Sequence, residues 1–221
     1  LRIVIIANGS LNHSPALLAG DTIIAADGGG RHCLALGVSP AVVIGDLDSL
    51  TDLELQALKE LGAQIIQFPP RKDFTDLELA LDYARSLTEQ NRIGESEILI
   101  LGALGERWDQ TLANLALPVA FPELDVRLVD GNQEILYVRG GETVVIQGRP
   151  GDTLSLIPLD GEARGVTTSK LEYPLADENL SLGSTRGISN VLLEEEAQIS
   201  LRAGLLVCVV IHQLETRLAS N

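Results

Sequence analysis

The chain has 221 residues, with 16 Lys and Arg against 31 Asp and Glu, and so a formal charge of −15. A surface of that sign repels polyanions, which excludes a nucleic-acid backbone or an anionic membrane as the main partner. Apolar residues make up 45% and aromatics 3%, enough for a real core in one or two domains but too few rings for a platform that stacks single-stranded bases.

From residue 1 to about residue 130, short β-branched runs alternate with amphipathic stretches. Strands are expected at residues 3–7, 22–26, 41–44, 64–68, 97–101 and 126–129. The clearest helical stretch has Leu77, Ala80, Leu81, Ala84 and Leu87 recurring at i+3 and i+4, and Thr51 with Glu54 reads as a capping box. This alternation predicts a Rossmann-like, mainly parallel α/β domain over residues 1–130, whose ligands bind beyond the carboxyl ends of the strands.

After Asp130 the helical period stops. Strand-like runs follow at residues 134–138, 143–146, 153–157, 165–168 and 205–212, separated by Gly, Pro and Asp turns, so an antiparallel β-sandwich is expected over residues 131–221. The glutamates at 194–196 read as a solvated edge or turn. The first 128 residues carry 18 acids and 9 bases and the rest 13 and 7, so charge does not separate the two halves. No apolar run approaches the roughly 18 residues of a membrane span, and the start LRIVIIANGS lacks the pattern of a signal peptide, so a cytoplasmic protein is expected. Cys33 and Cys208 form no CxxC, and His13, His32 and His212 are dispersed, which suggests core cysteines and neither a zinc site nor a disulfide framework.

Acids gather just after the predicted strand ends: Asp27, then Asp46 and Asp48, then Asp73 and Asp76, then Asp109. Carboxylates converging on one sheet edge need a counter-charge or they raise one another's pKa. Mg²⁺ supplies such a charge, commonly through one or two carboxylates and the phosphates of a substrate. Arg71, Lys72 and Arg107 stand beside these acids, and acids for metal next to bases for phosphate suit phosphoryl transfer. A glycosidase also uses two carboxylates, but without the cations and with more aromatic surface. Each acid also has a purely structural reading, such as Asp73 as an N-cap with Asp76 at the third helical position. The run Asp27-Gly28-Gly29-Gly30 leads from a strand into a helix, where backbone N–H groups can face an anion, or forms a plain tight turn. A dinucleotide fingerprint and a P-loop are both absent.

In this order, Asp27-Gly28-Gly29, Gly45-Asp46-Leu47-Asp48-Ser49, the segment from Lys72 through Asp73, Phe74, Thr75, Asp76 and Leu77 to Glu78, and the segment from Gly102 to Gln110 resemble the motifs of thiamine pyrophosphokinases. Leu171-Glu172-Tyr173-Pro174-Leu175 and the segment from Ser184 to Asn190 are similar to that family's thiamine-side motifs. The resemblance spans nearly the whole chain. It implies an enzyme that moves the pyrophosphoryl unit of ATP onto the hydroxyethyl oxygen of thiamine and releases AMP. It further implies an α/β domain for ATP and Mg²⁺, a β-sandwich for thiamine, and a homodimer with the active site at the subunit interface. By matching position, Asp46, Asp48, Asp73 and Asp76 hold Mg²⁺ and the phosphates and act in catalysis, with Asp73 or Asp76 as the base. Asp27, Gly28, Lys72, Thr75, Arg107 and Asp109 line the ATP site. Tyr173 offers its ring to thiamine, and Ser189 and Asn190 hydrogen-bond its aminopyrimidine.

Two departures stand out. Lys170-Leu171-Glu172 replaces the family's usual Gly-Leu-Lys, and Gly30-Arg31 follows the first glycine motif in place of a small residue and Asn. They keep open a pyrophosphokinase acting on another heterocyclic alcohol, such as a hydroxymethylpterin. A regulatory protein that binds nucleotide or thiamine without catalysis is the alternative from a different class.

Overall fold

A computed structural model of the protein describes residues 1–11, 17–91, 96–105 and 107–214. His13 and Glu106 of the motif between Gly102 and Gln110 lie outside the described residues. The chain divides into two compact units, Leu1–Gly131 and Asn132–Asn221.

The first unit is built on six strands: β1 (Arg2–Ile6), β2 (Thr22–Ala26), β3 (Val42–Gly45), β4 (Gln64–Gln67), β5 (Glu97–Leu101) and β6 (Asp125–Asp130). All pair in parallel, in the order β6-β5-β1-β2-β3-β4. Ile3, Val4, Ile5 and Ile6 are all fully buried, as a strand covered on both faces requires. Helices α1 (Gly29–Leu36) and α2 (Asp52–Glu60) cover one face, where Cys33, Leu50 and Leu58 join Val4, Ile6, Ala25 and Val43 in one apolar cluster. Helix α3 (Asp76–Asn91) packs against β1, β2 and β3 without entering that cluster, and so covers the other face with Leu77, Ala80, Leu81 and Ala84 buried. Helix α4 (Trp108–Ala116) and a short 3₁₀ turn lead from β5 to β6.

Local sequence explains the helix starts. The Thr51 hydroxyl accepts from Glu54 N at 3.3 Å while Glu54 accepts from Thr51 N at 2.8 Å, completing the capping box expected before α2. The same Glu54 holds the Arg31 guanidinium at 2.8 Å, so the residue that departs from the family's glycine motif ties α1 to α2. Hydrogen bonds from Arg31 and Thr51 lower the Glu54 carboxyl to about 2. The structural reading of Asp73 as an N-cap is overturned. Helix α3 begins at Asp76, and Glu78 N donates to the Thr75 hydroxyl at 3.2 Å, so Thr75 is the cap.

The second unit has two antiparallel sheets. One orders β12 (Asn190–Val191), β9 (Thr153–Pro158), β14 (Leu205–Ile211) and β7 (Gln133–Arg139); the other orders β11 (Glu178–Ser181), β10 (Glu162–Ser169), β13 (Glu196–Ser200) and β8 (Thr143–Gln147). Alternate residues of both sheets, among them Leu136, Val138, Leu154, Leu156, Ala197, Ile199, Leu206 and Cys208, fill a shared core. β11, β12 and β13 are absent from the sequence reading. Each offers at most two buried apolar residues, and pairing makes it a strand: β11 with the preceding β10, and β12 and β13 with strands farther back in the chain. Glu194 and Glu195 form the exposed approach to β13, and Glu196 begins it.

Both cysteines are free and buried. Burial pushes the Cys33 thiol up to about 12 and raises that of Cys208 as well, so both behave as apolar packing groups. Among the described residues no helix is long and apolar enough to cross a membrane.

Candidate active site

In the first unit the strand order reverses between β1 and β5, and the loops after those strands line a cleft of about 600 Å³. Its walls include Asn8, Gly9 and Ser10 after β1, Asp27 after β2, Asp46, Asp48 and Ser49 after β3, and Gly102 to Gly105 after β5. Thr75 and Asp76 enter from the start of α3, and Arg107, Gln110, Thr111 and Asn114 from that of α4. This is the carboxyl edge of the sheet at its switch point, where chain topology leaves a crevice.

Each acid is aimed by its own stretch of backbone. Asp27 has φ +44, a left-handed turn that Asp tolerates better than most residues. Its backbone N–H donates to Ile44 O at 2.8 Å, so the carboxylate sits at the mouth between β2 and β3. After β3 the chain turns at Leu47 (φ +67), whose buried side chain anchors the loop in the apolar cluster, while Asp46 and Asp48 on either side of it line the cleft. Asp48 N donates to Asp46 Oδ1 at 3.3 Å and fixes the turn. Gly45 permits the close approach: a Cβ there would stand 2.8 Å from Asp76 Oδ1 and 3.0 Å from Asp27 Cβ. On the α1 side, a Cβ on Gly29 would fall 1.9 Å from Ile6 O, so that helix can start against β1 only with glycine.

Asp27, Asp46 and Asp76 converge, each offering a carboxylate oxygen within 4.8 Å of the others. Lys72 Nζ is the cation among them, 2.6 Å from Asp76 Oδ1 and 3.4 Å from Asp46 Oδ2. Asp27 is 5% exposed, and its Oδ1 has no hydrogen-bond partner among the described residues. Leaving a buried oxygen unsatisfied costs about 1–3 kcal/mol or more for a charged group, so a site that keeps one has a use for it. Burial, aided by the charges of Asp46 and Asp27, raises the Asp76 carboxyl above its ordinary range despite Lys72. Burial opposes the Lys72 ammonium, but the hydrogen bond and charge of Asp76, with Asp46, outweigh it and hold Lys72 above its ordinary value. Both shifts favour added positive charge. An all-oxygen donor set with an orphaned buried oxygen fits a hard divalent cation.

The sequence-derived set is thus redistributed. Asp46 and Asp76 stand together with Asp27, which was assigned to ATP and not to metal. Asp48 lines the cleft outside that close trio, and Asp73 is exposed and is not among the cleft-lining residues. Gly28 caps α1 tightly beneath Asn8, and Thr75 and Arg107 line the cleft. Asp109 faces Arg107 at 2.5 Å, both exposed, and that hydrogen bond lowers the Asp109 carboxyl. Asn8, Ser10, Thr111 and Asn114 add a polar wall that a pattern of carboxylates at strand ends does not mark. The signal was present in Asn8-Gly9-Ser10, which follows the first predicted strand just as Asp27 follows the second.

In the second unit, Tyr173 is exposed and its backbone is clamped by the buried Asn190 amide. Asn190 Oδ1 accepts from Tyr173 N at 3.0 Å and from Val191 N at 2.9 Å, and Nδ2 donates to Tyr173 O at 2.7 Å. The Asn190 amide is therefore engaged by the backbone of Tyr173 and Val191. Ser189 is exposed at φ +58, its N–H donating to Ser155 Oγ at 3.0 Å. Lys170, which stands where the family usually has glycine, adopts φ +62 and pairs with Glu194 at 3.1 Å and Glu196 at 2.5 Å.

A carboxylate trio with one lysine, set in a crevice at the switch point of a parallel sheet, defines the class: an α/β protein with an acid-lined ligand cleft at the carboxyl edge of its sheet. The family description "Thiamin pyrophosphokinase, catalytic domain" fits residues 16–129, and "Thiamin pyrophosphokinase, vitamin B1 binding domain" fits residues 142–206. The chain belongs to the thiamin pyrophosphokinase family. It is 31% identical to thiamine pyrophosphokinase of Bacillus subtilis over 188 residues, 84% of this chain and 85% of that protein. The crystal structure of thiamine pyrophosphokinase from Bacillus subtilis superposes with a TM-score of 0.84 at 29% identity, covering 97% of this chain and all of the other. A thiamin pyrophosphokinase family protein from Enterococcus faecalis gives 0.83 at 27% identity, with 97% and 100% covered.

Proposed function

We propose that this chain is a thiamine pyrophosphokinase, an ATP:thiamine diphosphotransferase that works in the cytoplasm with Mg²⁺. The thiamine hydroxyethyl oxygen bonds to the β-phosphorus of ATP, the bond from that phosphorus to the α-phosphate oxygen breaks, and AMP leaves with that oxygen. The observation that carries the reading is the convergence of the Asp27, Asp46 and Asp76 carboxylates, with Asp27 Oδ1 buried and without a partner among the described residues, in a chain whose two halves match the catalytic and vitamin B1 binding domains in turn. Asp27, Asp46 and Asp76 would hold Mg²⁺. Bound there, the ion would offset the charge that spreads over the phosphates during transfer.

The chain's own residues supply the rest. Lys72 and Arg107 bring positive charge to the phosphates, and Thr75 and Ser10 line the cleft with hydroxyl-bearing side chains. Carboxylates of the cleft are the acceptors at hand for the proton that the hydroxyl gives up. In the second unit Tyr173 presents its ring to the cationic thiamine, where the negative face of the ring favours positive charge. Asn190 fixes the Tyr173 backbone in place. The homodimer belongs to the same proposal, supported by Trp108 and Leu112, an exposed apolar pair one turn apart on α4 beside the cleft-lining Thr111.

One assay tests the reading. Thiamine, ATP and Mg²⁺ should give AMP and thiamine diphosphate in equal amounts; ADP with thiamine monophosphate would refute it. Faster turnover of a hydroxymethylpterin than of thiamine would reassign the acceptor.

A further inference from the structure

Lys72 occupies the place where the acid cluster needs positive charge. Its side chain is 11% exposed, and its ammonium touches two of the three converging carboxylates. A Mg²⁺ ion lies about 2.0–2.1 Å from each ligand oxygen. An ion on Asp76 Oδ1 would therefore lie less than about 5 Å from an ammonium that stays 2.6 Å from the same atom. Like charges at that range repel strongly even at the effective dielectric of a protein surface. The ammonium must move, or the ion must bind weakly. Lysine is the residue suited to moving: a compact charge on a flexible four-carbon stem, able to swing without a change of backbone.

Resting on the reading of this cleft as a metal and ATP site, we propose that Lys72 is a placeholder cation. It neutralises Asp46 and Asp76 while no metal is bound, and releases them when the metal arrives with ATP, whose phosphates give the ammonium a new anionic partner. Lys72 is then a positioning residue that couples two binding events. Metal alone competes with it and binds weakly. Metal and nucleotide together bind cooperatively, each tightening the other by the same factor.

Mn²⁺ binding followed by electron paramagnetic resonance, with no turnover required, separates this from a plain structural ion pair. In the absence of nucleotide, Lys72→Met should bind Mn²⁺ at least about tenfold more tightly than the unmodified protein, while Lys72→Arg, which keeps the charge, should stay within about threefold. A non-cleavable ATP analogue with a methylene between the α and β phosphorus should tighten Mn²⁺ binding more in the unmodified protein than in Lys72→Met. Equal or weaker Mn²⁺ binding by a folded Lys72→Met overturns the proposal. The chain has only three lysines, Lys59, Lys72 and Lys170. The Lys72 side-chain resonance can therefore be followed in the unmodified protein, independently of how any variant folds. A resonance that does not move when Mg²⁺ and the analogue are added also overturns the proposal. If the unmodified protein makes AMP and thiamine diphosphate while these tests fail, only the placeholder role falls; if it makes neither, the function assigned above falls with it.

Discussion

Gly45 is the most exacting position in the acid cluster, and Gly45→Ala tests the packing argument directly. A Cβ at residue 45 would stand 2.8 Å from Asp76 Oδ1, 3.0 Å from Asp76 Cγ and 3.0 Å from Asp27 Cβ, on a backbone with φ +149. The backbone strain costs about 1–2 kcal/mol. Crowding adds about 1–3 kcal/mol, because the Asp76 carboxylate can swing away but Asp27 Cβ is bound to a backbone already held in a left-handed turn. The sum, about 2–5 kcal/mol, corresponds to a fall in Tm of roughly 5–15 °C for a chain of this size. Gly62→Ala is the control, since Gly62 also has positive φ (+91) but its Cβ would meet nothing within 4 Å. It should lose only the strain, a few degrees. Thermal unfolding by circular dichroism reads the stability of both variants, and Mn²⁺ titration reads the cluster, with Gly45→Ala alone losing at least about tenfold in affinity. Equal losses in the two variants would refute the claim that glycine is required here to let the carboxylates meet.

Three further outcomes follow from the geometry. The Asp76 carboxyl is raised in the folded state, so the folded protein holds that proton more tightly than the unfolded chain does. The resulting cost to stability is absent below the ordinary carboxylate range, grows as pH rises through the folded value, and is complete above it. Asp76→Asn should therefore melt higher than the unmodified protein at pH 7, with the gain vanishing in acid and turnover lost; a Tm gain independent of pH would contradict this. Asn190→Ala removes an amide that makes three hydrogen bonds around Tyr173 and Val191, at a cost of about 1–3 kcal/mol. Steady-state kinetics should show a higher KM for thiamine with the KM for ATP unchanged. Leu112→Glu places a charge on the exposed face of α4, and light scattering should show a dimer becoming a monomer; an unaltered mass would remove α4 from the interface.

The inner strands β1, β2 and β3 were legible because a parallel strand buried on both faces must be continuously apolar, as the segments around Ile3–Ile6 and Val42–Ile44 are. Helix α3 was legible from its 3.6-residue period, and the start of α2 from Thr51 and Glu54. In the second unit β7, β8, β9, β10 and β14 carried enough apolar residues to be seen. β11, β12 and β13 did not, since Asn190–Val191 is a strand only by virtue of its pairing with Thr153 and Leu154. Local chemistry also allowed Asp73 as the cap of α3, and the hydrogen bond from Glu78 N to the Thr75 hydroxyl puts the cap two residues later.

The two-part architecture, the edge of the sheet where acids gather, and the family are written in the chain itself, because they rest on periodicity, strand ends and contiguous motifs. Tertiary structure alone decided which acids meet. Asp27, Asp46 and Asp76 come from the ends of β2 and β3 and the first turn of α3, so their distances depend on sheet order, on the turn at Leu47 and on the missing Cβ of Gly45. Asp73, only three residues from Asp76, stays outside because α3 starts after it. Spacing along a chain sets which residue types are available, and only packing sets whose charges lie close enough to need an ion.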